Sequence, residues 1–347
     1  MNAHTIGVAM SGGVDSTVTA GLLIEQGYSV HGFFMLLPLA GLEQQISKVQ
    51  QITQRLQIPL HLVDLREQFS QTIISYFVDS YRQGMTPNPC VVCNLMIKCG
   101  QLMQVMTAKG MDKMATGHYA RILLEDGRAV LHRAEDPVKD QSYFLCRLAA
   151  EQLEHLVLPL GDWKKTDVFQ RAQEMGFSHF DDDESQDVCF MADQDLATFL
   201  EGRGVKSRHG EITTKDGQVL GNHGGIWKYT VGQRRGLGLP DATPWYVTNL
   251  DAGKNRVVIA KNEELFQHDV LLRDVQWAIP QPKAWQGRVQ LRSTHRASAA
   301  QVLPVNNTRW QVRFDEPQRA ITPGQFAVFY KDDQVIGSGI IDSTPVE

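Results

Sequence analysis

Apolar positions in residues 1–199 alternate between short runs and longer stretches in which they recur three or four residues apart. Thr5-Ile6-Gly7-Val8-Ala9-Met10 reads as a strand, followed by a Gly-rich turn and a helix over 14–26 with Val18, Leu22 and Leu23 at helical spacing. The same pattern predicts strands at 30–35, 60–65 and 113–122, and helices over 42–56, 69–81 and 93–109. Strands separated by helices of this length imply βαβ units and a parallel sheet covered on both faces, an α/β doubly wound domain. From about residue 210 the pattern turns to short alternating segments punctuated by Gly, Asn and Pro: 210–212, 218–221, 227–231, 245–247, 256–259, 269–277, 288–294, 301–305, 309–314 and 326–330. These predict a small central domain over 199–258 and a C-terminal β-barrel over 259–347, after a first domain of 1–198.

Composition narrows the class. With 347 residues, 42% hydrophobic and 21% charged, the chain is expected to be globular, with two or three domains. It has no apolar run of about eighteen residues, and its first residues lack a leader's charged and cleavable segments, so neither a membrane nor secretion is expected and a cytoplasmic location is. The net charge of −5 is uneven. Acidic side chains exceed basic ones by nine in 1–199, whereas basic ones lead by three in 200–255 and by one in 256–347, which permits phosphate contact in the later part. Five cysteines (Cys90, Cys93, Cys99, Cys146 and Cys189) are too few for a disulfide scaffold. The acidic run 181–184 reads as solvated surface.

The strongest local signal is Met10-Ser11-Gly12-Gly13-Val14-Asp15-Ser16-Thr17 between the first strand and the first helix. Glycines with accessible positive φ, two hydroxyls and a helix N-terminus at the carboxyl end of a parallel strand suit an anion. Neither G-x-x-x-x-G-K-[ST] nor G-x-G-x-x-G is present, which disfavours Walker-type and nicotinamide chemistry. S-G-G-V-D-S at 11–16 resembles the PP-loop of the adenine-nucleotide α-hydrolase-like superfamily. The resemblance implies ATP with Mg2+ held by Ala9, Met10, Ser11, Gly12, Gly13, Val14, Asp15 and Ser16. Asp15 would lie near the metal-phosphate charge, and Met35 and Gly117 would border the adenine.

Two cysteines stand in polar loop sequence. Cys93, in Thr86-Pro87-Asn88-Pro89-Cys90-Val91-Val92-Cys93-Asn94, is expected near a helix N-terminus, where the dipole favours a thiolate. Cys189 lies in Gln186-Asp187-Val188-Cys189-Phe190, whereas Cys99 and Cys146 read as small buried hydrophobes. With A-T-G-H-Y-A at 115–120, K-D-Q-S-Y-F-L at 139–145, Y-T-V-G-Q-R-x-G-L-G at 229–238 and P-G-Q-x-A-V-F-Y at 323–330, the chain resembles the tRNA-specific 2-thiouridylases almost end to end. That family implies a PP-loop domain, a small central domain and a β-barrel gripping the anticodon stem-loop of tRNA. By position, Cys189 would carry a persulfide from a sulfur donor protein and Cys93 would be the nucleophile that attacks it. Asn88, Pro89, Cys90 and His118 would lie near the target base, Lys139, Asp140 and Gln141 near the tRNA, and Gln325 on the anticodon loop.

The chain departs from the family pattern in two places. Position 90 is Cys where the family commonly has Asp, and Cys90, Cys93 and Cys189 could then hold three irons of a 4Fe-4S cluster as an alternative sulfur carrier. In the barrel, Ser293 follows Arg292 where an Arg-Tyr pair is usual, leaving Arg292 for phosphate without an aromatic partner. Rival readings are a PP-loop adenylating ligase of a small molecule, which needs no paired thiols, and a silent RNA-binding protein, against which Cys93 and Cys189 argue.

Overall fold

The computed structural model describes residues 4–177, 180, 188–191 and 194–342. The acidic run 181–184 lies outside the described residues. Two compact units are present: Met1–Ile73, Cys90–Ala192 and Asp333–Val335 in the first, and Ile74–Pro89, Asp193–Asp332 and Ile336–Glu347 in the second.

In the first unit the strands are β1 (Thr5–Met10), β2 (Ser29–Leu36), β3 (Leu60–Asp64), β4 (Lys113–Ala115), a hairpin of β5 (Arg121–Glu125) and β6 (Arg128–His132), and β7 (Leu156–Val157). The sheet runs β3-β2-β1-β4-β7, and each neighbouring pair is parallel. Its order reverses between β1 and β4, so a crevice for ligand opens beyond their carboxyl ends. Helix α1 (Val14–Glu25) is buried on two sides, because its apolar residues form two stripes. Ala20 and Leu23 pack with Val8, Val30 and Phe34 of the sheet. Val14, Val18 and Leu22, four apart, pack with Val168 and Ala172 of the helix Lys165–Glu174. On the sheet side, α2 (Leu42–Arg55) buries Val49 and Ile52 and turns Glu43, Gln44 and Lys48 to solvent, the amphipathic pattern that the sequence predicts.

Two expected elements change. The strand expected at 113–122 stops at Ala115, because the chain leaves the sheet through Thr116-Gly117-His118 and re-forms as the β5 and β6 hairpin. The helix expected from Cys93 begins four residues earlier, at Pro89, whose missing N–H costs nothing at a first helical position. It runs to Ala108 and widens to π geometry over Asn94–Leu102. Gln152 Nε2 donates to the Leu95 carbonyl (3.1 Å) and the Cys99 carbonyl (2.8 Å) along that stretch. By length and composition this helix could cross a membrane, but in this unit it buries Val91, Ile97, Leu102 and Met106.

In the second unit, β8 (Gly210–Thr213), β9 (Val219–His223), β10 (Tyr246–Asp251) and β11 (Arg256–Ala260) form a sheet ordered β10-β11-β8-β9 around Ile212, Ile226, Val247, Val257 and Ile259. The strand expected at 227–231 is instead a 3-10 turn over Ile226–Lys228. Trp227, Tyr229 and Val231 are buried as the alternation requires, but the chain bends there, with Gly232 at φ 89° just beyond. The barrel comprises β12 (Phe266–Trp277), β13 (Trp285–Gln290), β14 (Ser298–Pro304), β15 (Arg309–Arg319), β16 (Phe326–Lys331) and β17 (Gln334–Ile341). Its order β12-β15-β14-β13-β16-β17 closes when β17 pairs with β12, Leu272 opposite Ile341 and Trp277 opposite Gly337. β17 is absent from the sequence reading because Gly337 and Gly339 interrupt its apolar pattern. A Cβ at Gly337 would lie 2.5 Å from the Gln276 carbonyl oxygen, so closure needs a glycine there.

Inside the barrel the Phe329 ring lies 5.1 Å from the Trp277 ring and 5.8 Å from the Trp285 ring, with no solvent exposure. Phe329→Ala is expected to destabilise the protein by about 3–5 kcal/mol, read from the urea midpoint of the barrel tryptophan fluorescence. An unchanged midpoint would show that the barrel core tolerates the cavity.

Candidate active site

The turn after β1 is shaped by its own side chains. Gly12 has φ 82°, where a side chain is strained, whereas Gly13 has φ −87°, which any residue can adopt. Ser11 Oγ and Ser16 Oγ are 3.2 Å apart, the Gly13 N–H donates to Ser11 Oγ (3.3 Å), and Ser16 Oγ donates to the Gly13 carbonyl (3.1 Å). No side chain caps α1, which leaves the positive end of the helix facing the crevice. Across that crevice, Gly117 comes so close that a Cβ there would lie 2.8 Å from the Asp15 carbonyl carbon and 3.0 Å from the Ser16 nitrogen. Met35 lies on β2, opposite Val63 of β3, and Ala9 and Met10 end β1.

Asp15 sits in a charged and aromatic setting that the sequence did not announce. Lys165 Nζ is 2.8 Å from each Asp15 carboxylate oxygen, and Tyr119 OH donates to Oδ1 at 2.7 Å. The ammonium also lies over the Tyr119 ring (5.5 Å) and the Phe169 ring (5.2 Å). No sequence motif surrounds Lys165, and its partner lies 150 residues away. The packing of α1 on the helix Lys165–Glu174 brings the two together.

The thiols form the second part of the site. Cys90, Cys93 and Cys99 lie on one helix, and Cys189 lies in a turn whose Phe190 packs edge-on against Phe69 at 5.7 Å. Cys90 and Cys189 are exposed, Cys93 is half-buried, and Cys99 and Cys146 are buried, as expected for the last two. The thiolate expected at Cys93 is not favoured. Lying inside the helix and not at its end, Cys93 has its thiol pushed up to about 12 by burial, with Lys98 pulling down and Cys189, Cys90 and Cys99 pushing up. Cys90 and Cys189 keep exposed surface, yet partial desolvation raises both, the latter also through Cys90. These mutual influences place Cys90, Cys93 and Cys189 within electrostatic reach of one another. Among the described residues, however, no group of three or more His, Cys, Asp or Glu side chains is arranged to hold a metal ion.

His118 follows Gly117 directly, and its Nδ1 shares a 2.7 Å hydrogen bond with Thr116 Oγ1. Burial, with a smaller push from Lys98, lowers its pKa well below the ordinary histidine value, so the imidazole is neutral at neutral pH. Gly117 thus touches the nucleotide turn while the next residue feels the cation among the thiols.

The remaining candidates divide. Asp140 is tied up internally: it accepts from Arg133 Nη1 (2.6 Å), from the Ala134 and Ser142 N–H groups (3.1 Å each) and from Ser142 Oγ (2.9 Å). Gln141 Oε1 accepts the Tyr119 N–H at 3.0 Å, and Lys139 is half-buried beside them. In the second unit, Gln325 Nε2 donates to the Thr86 carbonyl (2.9 Å) and the Pro87 carbonyl (3.3 Å), just before Asn88 and Pro89. The Arg292 guanidinium meets the Ala320 carbonyl and the Thr322 hydroxyl.

The raised thiol and its cation can be checked directly. Alkylation of Cys93 by iodoacetamide, followed by peptide mass spectrometry, should be slow at about pH 7 and still rising at about pH 9. Lys98→Met, by removing the charge that lowers the thiol pKa, should slow it several-fold further at the higher pH. A plateau below about pH 9, or indifference to Lys98, would contradict this picture.

Comparison with known proteins draws these parts together. A family model described as the tRNA methyl transferase HUP domain matches residues 4–193, one described as the tRNA methyl transferase PRC-barrel domain matches 197–261, and one described as the aminomethyltransferase beta-barrel domain matches 267–341. The tRNA-specific 2-thiouridylase MnmA of Desulfotalea psychrophila is 47% identical over 345 residues, covering 98% of this chain and 100% of that protein. The protein of the same name from Syntrophotalea carbinolica is 42% identical, covering 98% and 99%. That from Clostridium perfringens is 39% identical, covering 99% of each. With an uncapped Gly-rich turn at the switch point of a parallel sheet, Cys93 and Cys189 in the same compact unit, and relatives matched along the full chain, the protein belongs to the tRNA-specific 2-thiouridylase family.

Proposed function

We propose that this chain is a cytoplasmic tRNA-uridine 2-sulfurtransferase that thiolates C2 of the wobble uridine, position 34, in the anticodon stem-loop. The observation that carries this reading is the continuity of Gly117 and His118, which brings the nucleotide turn and the thiol group into one unit.

A uridine C2 carbonyl is a poor electrophile, so its oxygen first attacks the α-phosphorus of ATP and pyrophosphate leaves. The Ser11 to Ser16 turn and the uncapped end of α1 would hold the departing phosphates. The Asp15 carboxylate with the Ser11 and Ser16 hydroxyls is a hard oxygen set that suits Mg2+, which, when bound, would neutralise phosphate charge. Cys189, exposed on its turn, would accept a persulfide from a sulfur donor protein. The terminal sulfur, having lost its proton, attacks C2 and AMP leaves with the former carbonyl oxygen, giving a C2–S–S–Cys189 link. Cys93, as thiolate, then attacks Cys189 Sγ, releasing the 2-thiouridine sulfur and leaving a Cys93–Cys189 disulfide that an external thiol reductant must reopen.

A Cys93 thiol held near 12 is inert at rest and would lose its proton only once RNA closes over the site, with the neutral His118 imidazole near the target base. Asn88, Pro89 and Cys90 would stand beside the base, with Lys139 and Gln141 nearby. Arg292 and Gln325 would turn from their internal partners to the RNA. The alternative sulfur carrier is a 4Fe-4S cluster, one iron of which would be held by each of Cys90, Cys93 and Cys189.

Cys93→Ala and Cys189→Ala should each abolish 2-thiouridine, read by nucleoside mass spectrometry of tRNA after reaction with ATP, Mg2+ and a persulfide donor. Both should bind tRNA within about threefold of wild type, since phosphate contacts carry that affinity. Thiolation that survives in either variant would remove the cysteine from the reaction.

A further inference from the structure

The loop that would hold the triphosphate contains no cation. Its sequence lacks the lysine of a Walker loop, and a helix end contributes only about half a unit charge. The nearest full positive charge held at the turn is Lys165, whose side chain is 11% exposed and which grips both Asp15 oxygens at 2.8 Å. With Tyr119 OH on Oδ1 as well, two donor groups make three hydrogen bonds to this carboxylate. An ammonium and a divalent cation compete for the same oxygens, so one must yield when the other binds.

The surroundings fix which part can move. The Lys165 N–H donates to Asp136 Oδ2 at 3.2 Å, and its helix is packed against α1 through Val168 and Ala172, so the backbone stays. The four-carbon stem has the rotatable bonds to redirect the ammonium, and the Tyr119 and Phe169 rings would keep it in the crevice when it lets go of Asp15. Lys48 is the other cation near the turn. Its stem runs beside Gly12, but its ammonium lies 5.6 Å over the Phe180 ring.

We propose that Lys165 is a resident counter-ion of Asp15 that exchanges partners when ATP enters with its divalent cation: the metal takes the Asp15 oxygens and the ammonium turns to the β- and γ-phosphates. The exchange lets the site hold a half-buried carboxylate without metal and a triphosphate with it, with charge balanced in both states. It supplies from a distant helix the lysine that the turn lacks. This inference rests on the nucleotide-binding reading and extends it.

Binding measurements on the full chain, without tRNA or turnover, test it. Calorimetry with MnCl2 alone should show Lys165→Met binding Mn2+ roughly tenfold or more tighter than wild type, because the carboxylate loses its resident cation and keeps only the Tyr119 hydroxyl. The same variant should bind ATP in the presence of Mn2+ roughly tenfold or more weaker. Lys165→Arg should keep both values near wild type, and Asp15→Asn combined with Lys165→Met should abolish the added Mn2+ affinity. If the methionine variant does not fold, Lys165→Gln, which keeps an N–H donor but no charge, carries the same expectation. Mn2+ affinity that is unchanged or weaker in the uncharged variants would overturn the exchange and leave the pair as a structural contact. A wild-type protein that binds no ATP would instead overturn the nucleotide reading itself.

Discussion

The close approach of Gly117 to the turn after β1 is the constraint on which the site depends. Only a residue without a Cβ fits against the Asp15 and Ser16 backbone, and that contact draws the chain out of the sheet just after β4. Because β1 and β4 are neighbours at the point where strand order reverses, the contact also defines the floor of the crevice. His118 is then carried to within reach of Lys98, among the thiols. A backbone packing requirement thus ties the Gly-rich turn to the segment that leads to the thiols.

Charge in this unit is arranged to be safe at rest. Asp15 is neutralised by Lys165, His118 is uncharged, and burial keeps the thiols protonated against the pull of Lys98. A thiolate left exposed would be oxidised or alkylated, whereas a buried thiol must be activated before it acts. The same low-polarity setting that silences Cys93 would strengthen its nucleophilicity once the proton is gone, since the thiolate would be poorly solvated.

What the sequence revealed follows the range of the interactions. The strand, Gly-rich turn and helix from Thr5 to Glu25 were legible because turn chemistry and apolar period are local, and the alternation of strands and helices identified the parallel sheet. Lys165 was not legible, since its meaning depends on a partner 150 residues away. The state of Cys93 was misjudged for two reasons: the helix starts at Pro89 and not at Cys93, and burial, which outweighs any helix-end effect, is decided by tertiary packing. β17 escaped because the glycines that let it close the barrel also erase its apolar pattern. Asp140 looked like an RNA contact within a polar motif, yet four internal donors show it to be a loop organiser.

The central claim is that the uridine oxygen itself leaves as part of AMP. The most direct measurement is isotopic: tRNA carrying 18O at C2 of the wobble uridine is thiolated with unlabelled ATP, and the products are weighed by mass spectrometry. The account predicts AMP containing one 18O for each 2-thiouridine formed, with unlabelled pyrophosphate. Unlabelled AMP alongside thiolated tRNA would contradict it.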